Sequence, residues 1–204
     1  MVATPASNKG KKYPPEILTD HEVQNLVRAC SSRSPTGIRN RSLIVVLYRG
    51  GLRIAEALAL RPKDVDCAEG TIRILHGKGN KARTVAIDPE ACAVLERWLD
   101  VRTRRRISGR RRLFCTLEGK PMHPNYVRSL LVRKADQAGI EKRVHPHGLR
   151  HTMAAELAAE GVPINVIQRA LGHSSAATTS RYIDHIAPQQ VIEAMRSRTW
   201  TVAP

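Results

Sequence analysis

His145-Pro146-His147-Gly148-Leu149-Arg150-His151, then a helix-forming run, then Leu171-Gly172-His173-Ser174-Ser175, then Thr178-Thr179-Ser180-Arg181-Tyr182: residues 145–182 organise the whole chain. Ala154 to Ala159 is a strong helix former stopped by Gly161, and Pro163 opens a second run, Ile164 to Leu171, stopped by Gly172. The imidazoles and the guanidinium therefore fall at helix ends. Backbone amides at such ends, joined by a guanidinium and imidazoles, suit an anion. With 34 Lys and Arg against 18 Asp and Glu, for a net charge of +16, the obvious anion is a phosphodiester.

Composition narrows the partner. A chain of 204 residues can bury one good core and is most simply a single domain. So large a positive charge predicts a polyanion, either nucleic acid or an anionic membrane surface. No apolar run approaches the ~20 residues of a membrane span, and no apolar segment follows Lys9, Lys11 and Lys12 as a secretory signal requires. The chain reads as cytoplasmic. Aromatic residues make up only 3% of it, too few for an RNA surface built on base stacking. Cys30, Cys67, Cys92 and Cys115 are far apart in sequence and form no C-x-x-C pair, so reduced, mostly buried thiols are expected.

Residues 1–15 read as a flexible basic arm. Thr19-Asp20-His21-Glu22 is a capping box that predicts a helix from Asp20 to about Cys30. A second helix, from about Gly37 through Tyr48, is almost continuously apolar and belongs in the core. After Gly50-Gly51, Leu52 to Leu60 predicts a third, with Arg53 and Glu56 one turn apart. Thr71 to Leu75 and Arg83 to Ile87 alternate as strands around the turn-forming residues 76–81. This hairpin tip carries Lys78 and Lys81. It is no P-loop, because the G-x-x-x-x-G-K-[ST] pattern is absent. Asp88-Pro89 caps a helix through Leu99.

Arg102, Arg104, Arg105, Arg106, Arg110, Arg111 and Arg112 then crowd into eleven residues without an acid. Such a block is too repulsive for a core and reads as a phosphate-contacting turn or a solvated linker, the phosphate role being preferred. Leu113-Phe114-Cys115 suggests a short third strand. Pro124 to Ala138 predicts a helix offering Arg128, Arg133 and Lys134 to a groove or a phosphate backbone. The fold class is α+β, mainly α: a helical bundle with a small antiparallel three-stranded sheet. Tyr48 and Tyr126 read as helix tyrosines with hydrogen-bonded hydroxyls. His145, His147 and His151 also invite a zinc reading, but Arg150 would sit beside the cation and no cysteine or carboxylate completes a site.

His147-x-x-Arg150, Leu171-Gly172-His173 and a tyrosine nine residues past that histidine resemble the C-terminal signature of the tyrosine recombinases, the phage integrase family. The resemblance extends to Gly51-Leu52-Arg53-Ile54-Ala55-Glu56 and Gly77-Lys78-Gly79-Asn80-Lys81, and covers residues 19–196. It implies a site-specific recombinase that cleaves and rejoins duplex DNA through a 3′-phosphotyrosine, with no metal or cofactor. By that resemblance Tyr182 is the nucleophile, and Arg53 and Arg150 bind the non-bridging oxygens. Lys78, preferred over Lys81, protonates the leaving oxygen. His147 handles the tyrosine proton, His173 hydrogen-bonds the phosphate, and Glu56 orients Arg53. Type IB topoisomerase-like relaxation shares this logic, and a non-catalytic architectural DNA binder is the further alternative. The family also implies a monomer in solution and a homo-tetramer on paired sites. Many members carry another helical domain before the first arginine box, whereas 52 residues precede Arg53 here. The expectation is one catalytic domain, residues 16–204, without the core-binding domain. A compact complete protein and a catalytic fragment both fit, and Met1 favours the former.

Overall fold

In a computed structural model of the chain, residues 16–75, 82–172, 195, 196 and 198 are described. Helix α1, Asp20–Arg28, starts where its capping box requires: the Glu22 amide donates to Thr19 Oγ1 at 3.2 Å and the Thr19 amide to Glu22 Oε2 at 2.7 Å. Helix α2, Pro35–Arg49, begins two residues before the predicted Gly37, because Ser34 accepts from the Gly37 amide and Pro35 supplies a pre-set φ. Leu43, Ile44, Val46 and Leu47 of α2 are wholly covered, each contributing about 2 kcal/mol of apolar burial. This helix packs on α4, Pro89–Arg104, and α6, Pro146–Ala159, and so forms the central pillar.

Between α2 and α4 lie α3, Ile54–Ala59, and three short strands: β1, Val65–Asp66, β2, Thr71–Ile74, and β3, Arg83–Ala86. They form an antiparallel sheet of order β1-β2-β3, with Ile72 opposite Val85 on its buried face. The third strand is therefore not the predicted Leu113-Phe114-Cys115. That segment is a buried connection: the Leu113 amide donates to Leu60 O at 2.7 Å, and Cys115 pairs with Pro121 only as an isolated bridge. Helix α5, Pro124–Gln137, and helix α7, Ile164–Leu171, complete the bundle.

Arg102 corrects the reading of the arginine block as wholly solvent-facing. It is 2% exposed and lies at the end of α4. Nη1 donates to the carbonyls of Arg112 and Leu113 at 2.8 and 2.9 Å and to Cys115 Sγ at 3.0 Å, while Nη2 reaches Ser108 O at 3.2 Å. A guanidinium with that many donors can serve a buried loop that has no ladder of its own. Trp98 Nε1 donates to the same Leu113 carbonyl at 2.9 Å. Lys134 is also committed within the fold: its ammonium donates to Ala29 O, the C-cap of α1, at 2.8 Å.

Both helix tyrosines are engaged as expected. Tyr48 Oη donates to Glu156 at 2.6 Å, and Tyr126 Oη accepts from Arg39 at 2.7 Å. The four cysteines are free thiols, three of them buried. Cys67 and Cys92, distant in sequence, meet in space, with Cys67 Sγ 3.9 Å from Cys92 O, and burial together with that neighbour pushes the Cys67 thiol up to about 12. Among the described residues, no helix is long and apolar enough to cross a membrane.

Arg102→Ala is expected to lower unfolding free energy by about 3 kcal/mol, since it strips donors from several buried acceptors. Arg104→Ala, on the exposed side of the same turn, should stay within about 0.5 kcal/mol of wild type. Urea midpoints of the two variants check this.

Candidate active site

Helix α7 ends at Gly172, whose backbone is left-handed at φ 62°, ψ 46°. A helix leaves its last carbonyls without intrahelical partners and carries partial negative charge there. Two guanidiniums from distant parts of the chain answer that need. Arg150 Nη2 donates to Leu171 O while its Nη1 donates to Gly51 O, and Arg53 Nη2 approaches Gly172 O at 3.4 Å. The Gly51 turn, helix α6 and the end of α7 are thereby locked together.

Arg53 is the N-cap of α3 and does not lie within it, so the helix begins later than the predicted Leu52. Glu56 stands at its third position and binds back. Its carboxylate accepts from the Arg53 amide at 2.8 Å and from Arg53 Nη1 at 2.8 Å. Arg83 completes the group, donating from Nη1 and Nη2 to the two carboxylate oxygens at 2.8 and 2.9 Å. Burial alone would raise the Glu56 pKa. The Arg83 hydrogen bonds, the Arg53 amide, the Arg83 charge and the Arg53 side-chain hydrogen bond outweigh it and hold the carboxyl at about 2. Glu56 is therefore ionised at any working pH.

Arg83 was no candidate from sequence, although a signal existed. It shares a strand face with Val85 and Ile87, both buried, so alternation already placed a charge on the inner side. Its guanidinium lies over Gly172, where a Cβ would come within 2.8 Å of Arg83 Cδ and Nε. Positive φ and this close approach both demand glycine at 172.

Helix α6 begins at Pro146, before the helix-forming run predicted from Ala154, because His145 Nδ1 accepts from the Gly148 amide at 2.9 Å and caps it. His147 and Arg150 thus occupy its first turns. The His147 ring meets that of His151 edge-on, with centroids 4.2 Å apart. Burial, then the charges of Arg150, His145 and Arg53, lower the His147 pKa below the usual histidine value. The imidazole is neutral at pH 7 and can accept a proton. Among the described residues, no three His, Cys, Asp or Glu side chains converge as a metal site would need. The ensemble is a set of guanidiniums balanced by one carboxylate beside a neutral base, which suits an anion that shares two oxygens.

Residues 16–188 match the model of the Phage integrase family. The chain belongs to the phage integrase family. It is 33% identical over 195 residues to tyrosine recombinase XerC of Halalkalibacterium halodurans, covering 93% of this chain and 64% of that one. It is 36% identical over 187 residues to tyrosine recombinase XerD of Ralstonia nicotianae, covering 88% and 60%. This family member thus spans less than two thirds of those curated relatives. Among solved structures, XerA recombinase superposes with a TM-score of 0.80 at 31% identity, over 94% of this chain and 69% of that one. XerH bound to its palindromic difH substrate gives 0.72 at 29% identity, over 91% and 54%.

In this phage integrase family chain, Arg53, Glu56, His147 and Arg150 are brought together around the end of α7. Lys78, Lys81, His173 and Tyr182 lie outside the described residues, although Gly172 directly precedes His173 and the Lys78 segment connects β2 to β3. Arg104 at the end of α4 and Arg105, Arg106, Arg110 and Arg111 just after it are exposed, as are Arg128 and Arg133 on α5. Arg112 is exposed but donates to Ala59 O.

A histidine with a lowered folded pKa binds its proton more readily when unfolded. The stability tied to a neutral His147 is therefore present above about 6.5, the unfolded value, and is lost as pH falls through the folded one. Unfolding free energy should decline from pH 7 to 5.5, and His147→Gln should flatten that decline. Chemical denaturation at the two pH values measures the difference.

Proposed function

We propose that the chain is the catalytic part of a site-specific DNA recombinase, and that residues 16–204 act as one catalytic domain. The gathering of Arg150 and Arg53 on the carbonyls of Leu171 and Gly172, with the imidazole of His147 within reach of both charges, carries this reading. Relatives named tyrosine recombinase and a XerH structure bound to its difH substrate support it. Tyr182 attacks the phosphodiester, forming a bond to the 3′ phosphate as the bond to the 5′ oxygen breaks. His147 takes the phenol proton, Lys78 gives one to the departing oxygen, and His173 donates to the phosphate. Arg53 and Arg150 stabilise the charge that develops on the non-bridging oxygens.

Arg150 carries two duties in this account. It is 2% exposed and holds two main-chain carbonyls, yet a guanidinium has five N–H donors and each Nη can serve a carbonyl and a phosphate oxygen together. Its removal therefore costs folding as well as chemistry, and Arg53 is the cleaner probe of the transition state. The exposed arginines 104, 105, 106, 110 and 111, with Arg128 and Arg133, are suited to the duplex backbone, where lysine and arginine replace released counterions.

Tyr182 is tested by a DNA duplex nicked near the cleavage site, so that the short fragment carrying the religating hydroxyl is lost. The wild-type chain in EDTA should accumulate a 3′-phosphotyrosyl adduct, and Tyr182→Phe should bind the same DNA and trap nothing. An adduct on Tyr182→Phe, or activity abolished by EDTA, overturns the assignment.

The reading includes a monomer free in solution and a tetramer on two paired sites. Its support is the sequence after Pro188, where Val191, Ile192 and Met195 recur at helical spacing. Removing residues 187–204 should leave single-site binding intact and abolish paired-site complexes in native gels. A truncated chain that still pairs sites refutes this assembly.

A further inference from the structure

Arg83 sits at the first position of β3, just past the segment that carries Lys78, and its side chain, 13% exposed, grips Glu56 through both carboxylate oxygens. Its planar fork matches the carboxylate as a lysine could not. The same carboxylate accepts from Arg53 Nη1 and the Arg53 amide, and the Arg83 guanidinium rests on Gly172. One side chain therefore joins the hairpin, the start of α3 and the end of α7.

The charge balance gives this joint a role beyond packing. A buried carboxylate facing Arg53 alone would form a neutral pair, and each oxygen would be available to draw that guanidinium toward itself. With Arg83 present, two guanidiniums share one carboxylate and the group keeps one net positive charge. Arg83 also occupies one acceptor direction on each Glu56 oxygen, so Arg53 contacts the carboxylate through Nη1 and turns Nη2 toward the Gly172 carbonyl.

We propose that Arg83 is a positioning residue for strand cleavage: by sharing Glu56 it keeps the charge of Arg53 uncompensated for the phosphate and holds the start of β3 against the end of α7. This rests on the recombinase reading above. Arg83 acts through Glu56 and Arg53, which it touches or shares a partner with.

The test uses the nicked duplex, with single-turnover adduct formation at saturating DNA and, separately, the DNA dissociation constant. Wild type must form the adduct; if it does not, the recombinase reading has failed and Arg83 is not at issue. Given that control, Arg83→Gln should slow adduct formation by ~30-fold while leaving the dissociation constant within about threefold. Arg83→Lys keeps the charge without the fork and should recover part of the rate. The decisive variant is the double substitution Arg83→Gln with Glu56→Gln, which restores the net positive charge of the group and should be faster than Arg83→Gln alone. An unchanged rate in Arg83→Gln overturns the proposal, as does a double variant no faster than the single one. Should Arg83→Gln fail to fold, as judged by thermal melting, Arg83→Lys decides. If it folds and is slowed with affinity kept, the proposal stands; if it is fully active or also unfolded, the residue has no positioning role.

Discussion

The unsatisfied carbonyls at the end of α7 are the constraint around which this molecule is arranged. A helix terminus in a buried setting must find donors, and leaving such acceptors bare costs about 1–3 kcal/mol each. The usual answer is local, through a glycine turn and water. Here Gly172 supplies the turn, but the donors come from Arg150 on α6 and Arg53 at the start of α3. Satisfying one helix end thus pulls together segments separated by more than a hundred residues. The groups that gather are guanidiniums, the side chains best suited to an anion, and the fold already depends on them.

The bundle around that point supplies rigidity. Helix α2 is covered on nearly every side, and α4 and α6 pack along it, which fixes the base of the Gly51 turn. The Leu18 amide donates to Thr152 Oγ1 at 3.1 Å and ties the start of α1 to α6. Arg39, buried beside Tyr126, and Arg102, buried beside Trp98, serve loop carbonyls in the same way that Arg150 serves α7. In a chain so rich in arginine, the buried ones substitute for regular backbone pairing, and the exposed ones are left for solvent or a polyanion.

Local signals in the sequence were strong where physics is local. The capping box of α1, Asp88-Pro89 at α4, the glycine stop of α7 and the alternating hairpin all specify structure within a few residues, and each was readable. Arg53 with Glu56 and His147 with Arg150 were legible through spacing and family resemblance. What escaped depended on distant partners. Two-residue β1 is too short to show alternation and exists because β2 offers it an edge. Arg102 looked like part of a repulsive block because the carbonyls that neutralise its burial belong to a loop of no regular pattern. Lys134 looked available for DNA until the α1 C-cap took it. The link from Arg83 to Glu56 could not be read as a pair, since nothing in the hairpin announces that α3 lies beneath it.

The burial of Arg150 bears on how members of such a family can be diagnosed. A chain of this fold with no reaction to perform would be under no chemical pressure to retain an arginine at position 150. It would still need a donor for the carbonyls of Gly51 and Leu171. Selection for folding alone would therefore preserve this arginine. Its presence in a sequence is a marker of the scaffold, and inactivity has to be read at positions that carry no such structural debt.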